Sequence, residues 1–91
     1  MSEFKGSKSP WLISGESEKW NRIVDANGDL ITTCFAMQNE DDANANVIAA
    51  APELLEALQA CEKILSEIPL TVDLVEDLLF ARAAIAKALG Q

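Results

Sequence analysis

Few side chains in this 91-residue chain are equipped for catalysis. The sequence has two cysteines, Cys34 and Cys61, and neither histidine nor tyrosine. A cysteine nucleophile needs a neighbouring base or cation to form its thiolate, and no histidine is present to act as that base. The 15 Asp and Glu residues offer carboxylates, but their spacing selects no catalytic pair. We therefore expect a protein that is not an enzyme and has no cofactor, with two thiols that pack rather than form a disulfide.

Two acidic clusters are candidates for metal binding. Residues 25–29 superficially resemble a calcium loop, but they lack the span of about twelve residues and the terminal glutamate of an EF-hand. Asp73, Glu76 and Asp77 fall at the start of a predicted helix, where acids are stabilised by the helix dipole. We expect no metal site at either cluster.

Two tryptophans and an arginine form the candidate ligand or partner contact. Trp11, Trp20 and Arg22 would stack a base and bind a phosphate if the first strand lies beside the following hairpin. In that case an oligomer of the chain sequesters a small nucleotide-type signalling molecule. The alternative is that both tryptophans fill the core of a small domain.

The charge of the chain is strongly negative, with 7 Lys and Arg against 15 Asp and Glu, a net charge of −8. This balance disfavours direct nucleic-acid binding, which requires cations at the phosphates. The excess lies in the second half of the chain, where five acids form a candidate acidic partner face: Glu53, Glu56, Asp73, Glu76 and Asp77. Such a surface either keeps the helices soluble or imitates DNA phosphates toward a basic host protein.

Residues 10–38 predict an antiparallel sheet of two or three strands. Two runs rich in β-branched and aromatic residues flank Asn27 and Gly28, the preferred pair for a two-residue type I′ turn with positive φ at both positions. Counting outward from that turn gives four facing pairs: Ala26 with Asp29, Val24 with Ile31, Arg22 with Thr33 and Trp20 with Phe35. The Trp20 side is the predicted core, and the opposite side carries Ile23, Leu30 and Cys34.

Residues 40–90 predict a helical hairpin. An amphipathic pattern continues to Ile68, and Pro52 lies inside it, so the helix either kinks near Ala49 or a new helix begins at Pro52. Thr71 is placed to cap a second helix and Gly90 to end it. A connection of two or three residues after the first helix makes the pair antiparallel.

The second helix has more apolar surface than one neighbouring helix can cover. The surplus is buried either by the predicted sheet or by a second copy of the chain, which would make a homo-oligomer. The candidate self-association residues are Leu78, Leu79, Phe80 and Ile85.

Residues 44–58 (NANVIAAAPELLEAL) resemble the "ANAxLIAAAPELLEAL" block of a group of small tailed-phage and prophage accessory proteins. In that group the block follows a "TPGPW"-like motif and an "IxDxxGxxIA"-like hairpin, which Ser9-Pro10-Trp11 and residues 23–31 (IVDANGDLI) resemble. The resemblance implies a phage or prophage origin and a β-then-α order. It brings no catalytic residues.

Together these patterns predict one α+β domain over residues 1–91. Residues 1–9 are expected to be loosely ordered, 10–38 to form the antiparallel sheet, and 40–90 to form a helical hairpin of a kinked helix and an antiparallel partner helix. We expect a non-enzymatic phage-type accessory protein that binds a host or phage protein, with counter-defence as its purpose; the nucleotide sponge and the acidic DNA mimic are the alternatives. Without an apolar run in residues 1–10, we expect no signal sequence, no membrane segment and a location in the cytoplasm of an infected or lysogenic bacterium.

Overall fold

The computed structural model describes residues 4–14 and 20–91 of the chain. The fold is α+β, as predicted: a three-stranded antiparallel sheet is followed by a helical hairpin. Its elements are β1 (Leu12–Ile13), β2 (Trp20–Val24), β3 (Leu30–Phe35), α1 (Asn39–Ser66) and α2 (Val72–Ala88). Residues 15–19, which belong to the predicted sheet segment 10–38, lie outside the described residues.

The chain forms two compact units. The sheet unit comprises Lys5–Glu53, and the helical unit comprises Leu54–Gln91 with Phe4. Helix α1 begins in the first unit and ends in the second. Residues 4–9 contain neither helix nor strand, yet the Lys8 carbonyl accepts a hydrogen bond of 2.9 Å from the N–H of Ala26. The amino-terminal segment is therefore tied to the hairpin turn.

The hairpin register confirms the outer predicted pairs and corrects the inner ones. Trp20 faces Phe35 and Arg22 faces Thr33, as the alternation predicts. Near the turn, however, Val24 faces Leu30 rather than Ile31, because the register shifts by one residue after Ile23. A bulge of this kind leaves one residue of β3 unpaired.

The turn differs from the predicted type because Asp25 organises it. The Asp25 Oδ1 atom accepts hydrogen bonds from the N–H groups of Asn27 (2.9 Å) and Asp29 (3.0 Å), and the Asp25 carbonyl accepts one from Gly28 (3.0 Å). Of the two predicted turn residues, Asn27 and Gly28, only Gly28 has a positive φ, at 86°. A type I′ turn needs a positive φ at both positions, so that prediction is wrong. The loop has three residues, the pattern of a type I turn followed by a left-handed glycine. The predicted pair of Ala26 and Asp29 is accordingly replaced by a bond from Asp25 N–H to the Asp29 carbonyl.

The buried side of the sheet is the reverse of the predicted one. Asn21 Nδ2 donates to Asp42 Oδ1 (3.1 Å) in the first turn of α1, so α1 approaches the side of β2 that carries Asn21 and Ile23. Ile23 and Ala45 are both 0% exposed. Trp20, the predicted core residue, lies on the other side and is exposed. Because Ala45 is small and stands one turn after Asp42, the helix can approach Ile23 closely.

Helix α1 is capped by its own acid and continues through Pro52. The Asp41 Oδ2 atom accepts hydrogen bonds from the N–H groups of Met37 and Gln38, both at 3.1 Å, which satisfies donors that a helix start leaves open. The acids of the first turn also suit the positive end of the dipole. The alternative that a new helix begins at Pro52 is wrong, because α1 extends unbroken to Ser66.

Helix α2 has both predicted caps. Thr71 is the N-cap, and its hydroxyl accepts from the Leu74 N–H at 3.4 Å. At the other end Gly90 has a φ of 76°, and the N–H groups of Gly90 and Gln91 donate to the carbonyls of Lys87 and Ala86. This pair of bonds is a Schellman motif. The connection to α1 covers residues 67–71, longer than predicted, since α1 ends at Ser66, before Pro69.

Within the helical unit an ion pair joins the two helices. Arg82 Nε donates to Glu62 Oε1 at 2.8 Å. Leu78 is 5% exposed, so the side of α2 that carries Leu78 and Arg82 is directed toward α1. The opposite side of α2 is directed to solvent.

The Asp25 turn gives a first prediction. Replacing Asp25 with alanine removes the acceptor of two backbone N–H groups in a residue only 8% exposed. We expect D25A to lower the free energy of unfolding by about 1–3 kcal/mol, measured by urea denaturation followed by circular dichroism. D25N keeps an oxygen at the same position and should recover most of the loss. The control is D29A, because Asp29 contributes only backbone groups to these bonds; equal losses in D25A and D29A would show that the Asp25 side chain does not hold the turn.

Candidate functional site

The side of the sheet that carries Trp20 is open and largely apolar. Side chains alternate along each strand, and the register carries this alternation from β2 to both neighbours. Four large apolar residues on this side are exposed: Leu12, Trp20, Leu30 and Phe35. We call these four residues, together with Arg22, Val24 and Thr33, the open sheet face.

An aromatic pair lies at one end of the open sheet face. The rings of Trp20 and Phe35 are stacked, with centroids 5.0 Å apart and planes inclined by 25°. The two residues are nevertheless 42% and 57% exposed. Arg22 and Thr33 form the next facing pair on this side of the sheet, and both are exposed. This arrangement combines a rigid apolar surface with a strong hydrogen-bond donor.

The predicted ligand cluster is only partly assembled. Trp20 and Arg22 share the open sheet face, but Trp11 precedes β1, whose Leu12 faces Val24 at the far end of β2. The Trp11 indole N–H donates to the Ser7 carbonyl at 3.0 Å. The aromatic neighbour of Trp20 is therefore Phe35.

The predicted self-association residues divide between two sides of α2. Leu79 and Phe80 are exposed, whereas Leu78 is buried and Ile85 is half-buried. A run of consecutive residues cannot occupy one side of a helix, because each residue is rotated by about 100° from the last. Only Leu79 and Phe80 are available to a second molecule.

All five residues of the predicted acidic partner face are exposed. Glu53 and Glu56 lie one turn apart on α1, and Asp73, Glu76 and Asp77 lie in the first half of α2. Glu56 borders an open groove of about 600 Å³ along α1, which Lys63 and Ser66 also line. A smaller depression of about 170 Å³ lies between the helices beside the pair of Glu62 and Arg82. This depression is below the usual volume of small-molecule pockets, about 300–1,000 Å³.

Neither thiol forms a disulfide in the structure. Cys34 is half-buried in β3, whereas Cys61 is exposed on α1, so the prediction that it packs is wrong. Within residues 4–14 and 20–91, no group of three or more Cys, Asp or Glu side chains is arranged to hold a metal ion. Over the same residues, neither helix has the length and apolarity needed to cross a bilayer.

Sequence reasoning missed several exposed apolar residues. The predicted register pairs Phe35 with Trp20. Because that side is also predicted to be the core, the sequence does not identify the pair as exposed. Leu30 was assigned to the opposite side, since the bulge after Ile23 was not foreseen. On α2, Val72 and Val75 are exposed with Leu79, and their i, i+3, i+7 spacing is the signal that finds them.

Comparison with known proteins places the chain in a phage family. Neither the curated proteins nor the solved structures gave a significant match. Residues 1–91 match the family model described as Salmonella phage P22 protein Y8K6. Because the match covers the whole chain, it supports the phage-type protein that the sequence predicts. The chain belongs to the Salmonella phage P22 protein Y8K6 family.

Proposed function

We propose that this protein acts by binding, without catalysis, and that the open sheet face docks on a second protein of the host or the phage. The observation that carries the proposal is the exposed stack of Trp20 on Phe35 beside Arg22. Tryptophan, phenylalanine and arginine are enriched in protein interfaces, and tryptophan and arginine dominate their binding energy.

The exposed area itself supports a docking role. Each square ångström of apolar surface removed from water contributes about 25 cal/mol, and Leu12, Leu30 and the aromatic pair keep much of their surface in water. Larger apolar patches on soluble proteins commonly mark interaction sites. A second protein that covers this face recovers that free energy.

Arg22 defines the chemistry of the partner. Arg22 shares the open sheet face with apolar residues, so a partner that covers its guanidinium without offering an acceptor leaves a buried charge unpaired, which is costly. The complementary surface is therefore apolar and carries a carboxylate or carbonyl oxygen opposite Arg22. Because the chain belongs to a phage family, we infer that the partner is a host defence protein. Docking of the open sheet face would then cover the surface through which that protein acts.

The aromatic stack gives the second prediction. In W20A the stacked ring is lost, and we expect the affinity for the partner to fall at least about tenfold, because tryptophan is enriched among the few interface residues whose truncation costs about 2 kcal/mol or more. The measurement is quantitative capture from infected-host lysate on the immobilised full chain, followed by titration with the captured protein. W20F should retain most of the binding.

The matched control is L54A, since Leu54 is a similarly exposed apolar residue in the other unit and lies outside the α2 helix. It should bind the partner as the wild type does. Equal capture by W20A and wild type would refute docking on the open sheet face. Calorimetry with cyclic and linear nucleotides tests the alternative that the chain sequesters a nucleotide. Micromolar binding by the wild type that disappears in R22A would favour that alternative over protein docking.

Salt gives the third prediction and separates docking from DNA mimicry. Raising the salt from 0.1 to 1 M shortens the Debye length from about 10 to about 3 Å, which screens exposed carboxylates but not apolar contacts. We expect the partner to remain bound at 1 M salt, within a few-fold of its affinity at 0.1 M. Neutralising the acids of α2 (D73N, E76Q and D77N together) should change that affinity little. Loss of binding in both experiments would indicate an acidic mimic instead.

A further inference from the structure

The solvent side of α2 carries an apolar stripe, with acids along its first half and Lys87 beyond its last residue. Leu79 and Phe80 are 58% and 74% exposed, and Val72, Val75 and Ala83 are exposed near them. The spacing of these residues spreads them over about 140° around the helix, with Val75 at the edge next to the buried Leu78 and Phe80 at the opposite edge. We call this set of five residues the α2 stripe.

The charges beside the α2 stripe are ordered along the helix. Asp73, Glu76 and Asp77 lie in its first half, and Lys87 lies in its second half; Arg82 is on the side directed toward α1, where it pairs with Glu62. Phe80 is central: Asp73 precedes it by seven residues and Lys87 follows it by seven. Each charge is therefore about 10 Å from Phe80 along the axis and on nearly the same side of the helix.

We propose that the α2 stripe binds the α2 stripe of a second copy of this chain, with the two helices antiparallel and crossing at Phe80. Antiparallel placement brings Asp73 of each copy beside Lys87 of the other, whereas parallel placement brings acids against acids. The rings of Phe80 then lie over the small side chains at Ala83 and Ala84, where two helices can approach closely.

The order of charges alone also stabilises an isolated helix, because acids suit its amino end and bases its carboxyl end. That effect accounts for Asp73 and Lys87 but not for exposed Leu79 and Phe80 between them. A self-complementary two-fold contact accounts for both features, since every residue of the stripe meets the same surface on the other copy. The proposal is independent of the open sheet face, which lies in the other unit.

The oligomeric state gives the fourth prediction. We expect the full chain to sediment as a dimer at high micromolar concentration, and L79E or F80E to weaken dimerisation at least about tenfold because each buries a new charge in the contact. The matched control is L54E, which places the same charge at an equally exposed leucine on α1. It should remain a dimer. A monomeric wild type, or loss of the dimer in L54E but not in L79E, would overturn the proposal. Circular dichroism verifies that each variant is folded.

Cross-linking tests the orientation. In a background with C34S and C61S, D73C and K87C are prepared separately and oxidised either alone or as an equal mixture. Antiparallel helices predict a disulfide mainly between D73C and K87C chains in the mixture. Efficient cross-linking of D73C with itself would show parallel packing, and no cross-link in any sample would remove the α2 contact; either result contradicts the proposal.

Discussion

The contact between the first turns of α1 and the Ile23 side of the sheet determines which surfaces this protein presents. Asn21 reaches Asp42, and both Ile23 and Ala45 are excluded from solvent. A helix with alanine at the contact can approach the sheet closely, whereas two stacked aromatic rings would hold it farther away. Because α1 takes the side with smaller residues, the Trp20 and Phe35 rings are left on the outside. The buried side and the open side of the sheet unit follow from this one choice.

The strand pairing shows how an incorrect local prediction coexists with a correct register. A two-residue turn at Asn27 and Gly28 and a continuous ladder predict that Trp20 faces Phe35. The structure has a three-residue turn held by Asp25 and one unpaired residue after the Val24 pair, and the two changes cancel. The pairing farther out is specified by side-chain alternation, which the sequence displays. The Asp25 side chain accepts a hydrogen bond from the N–H of Asn27, and this bond favours the three-residue turn. The preference of the Asn-Gly pair for a type I′ turn takes no account of the residue that precedes it by two positions.

The candidate site was harder to predict than the fold because both sides of the strands are apolar. Alternation shows that Trp20, Arg22 and Phe35 share one side but not which side a helix covers. The helical caps were predictable, since Thr71 and Gly90 act through local backbone geometry. In α2 the composition shows an apolar surplus, but only the buried Leu78 and the pair of Arg82 with Glu62 show which side of the helix is directed toward α1. Such a contact between helices is not visible in the composition of either one.

The negative charge of the chain narrows where another protein can bind. With a net charge of −8, two copies repel each other unless their contact pairs unlike charges. Along α2 the acids and bases are separated by Phe80, so only one relative direction of two helices meets that condition. The open sheet face has Arg22 as its only charged residue, so it brings no carboxylate of this chain into a contact with an acidic partner. Both surfaces thus combine exposed apolar side chains with a basic residue, Arg22 in one and Lys87 in the other. Surfaces that carry only carboxylates repel an acidic partner.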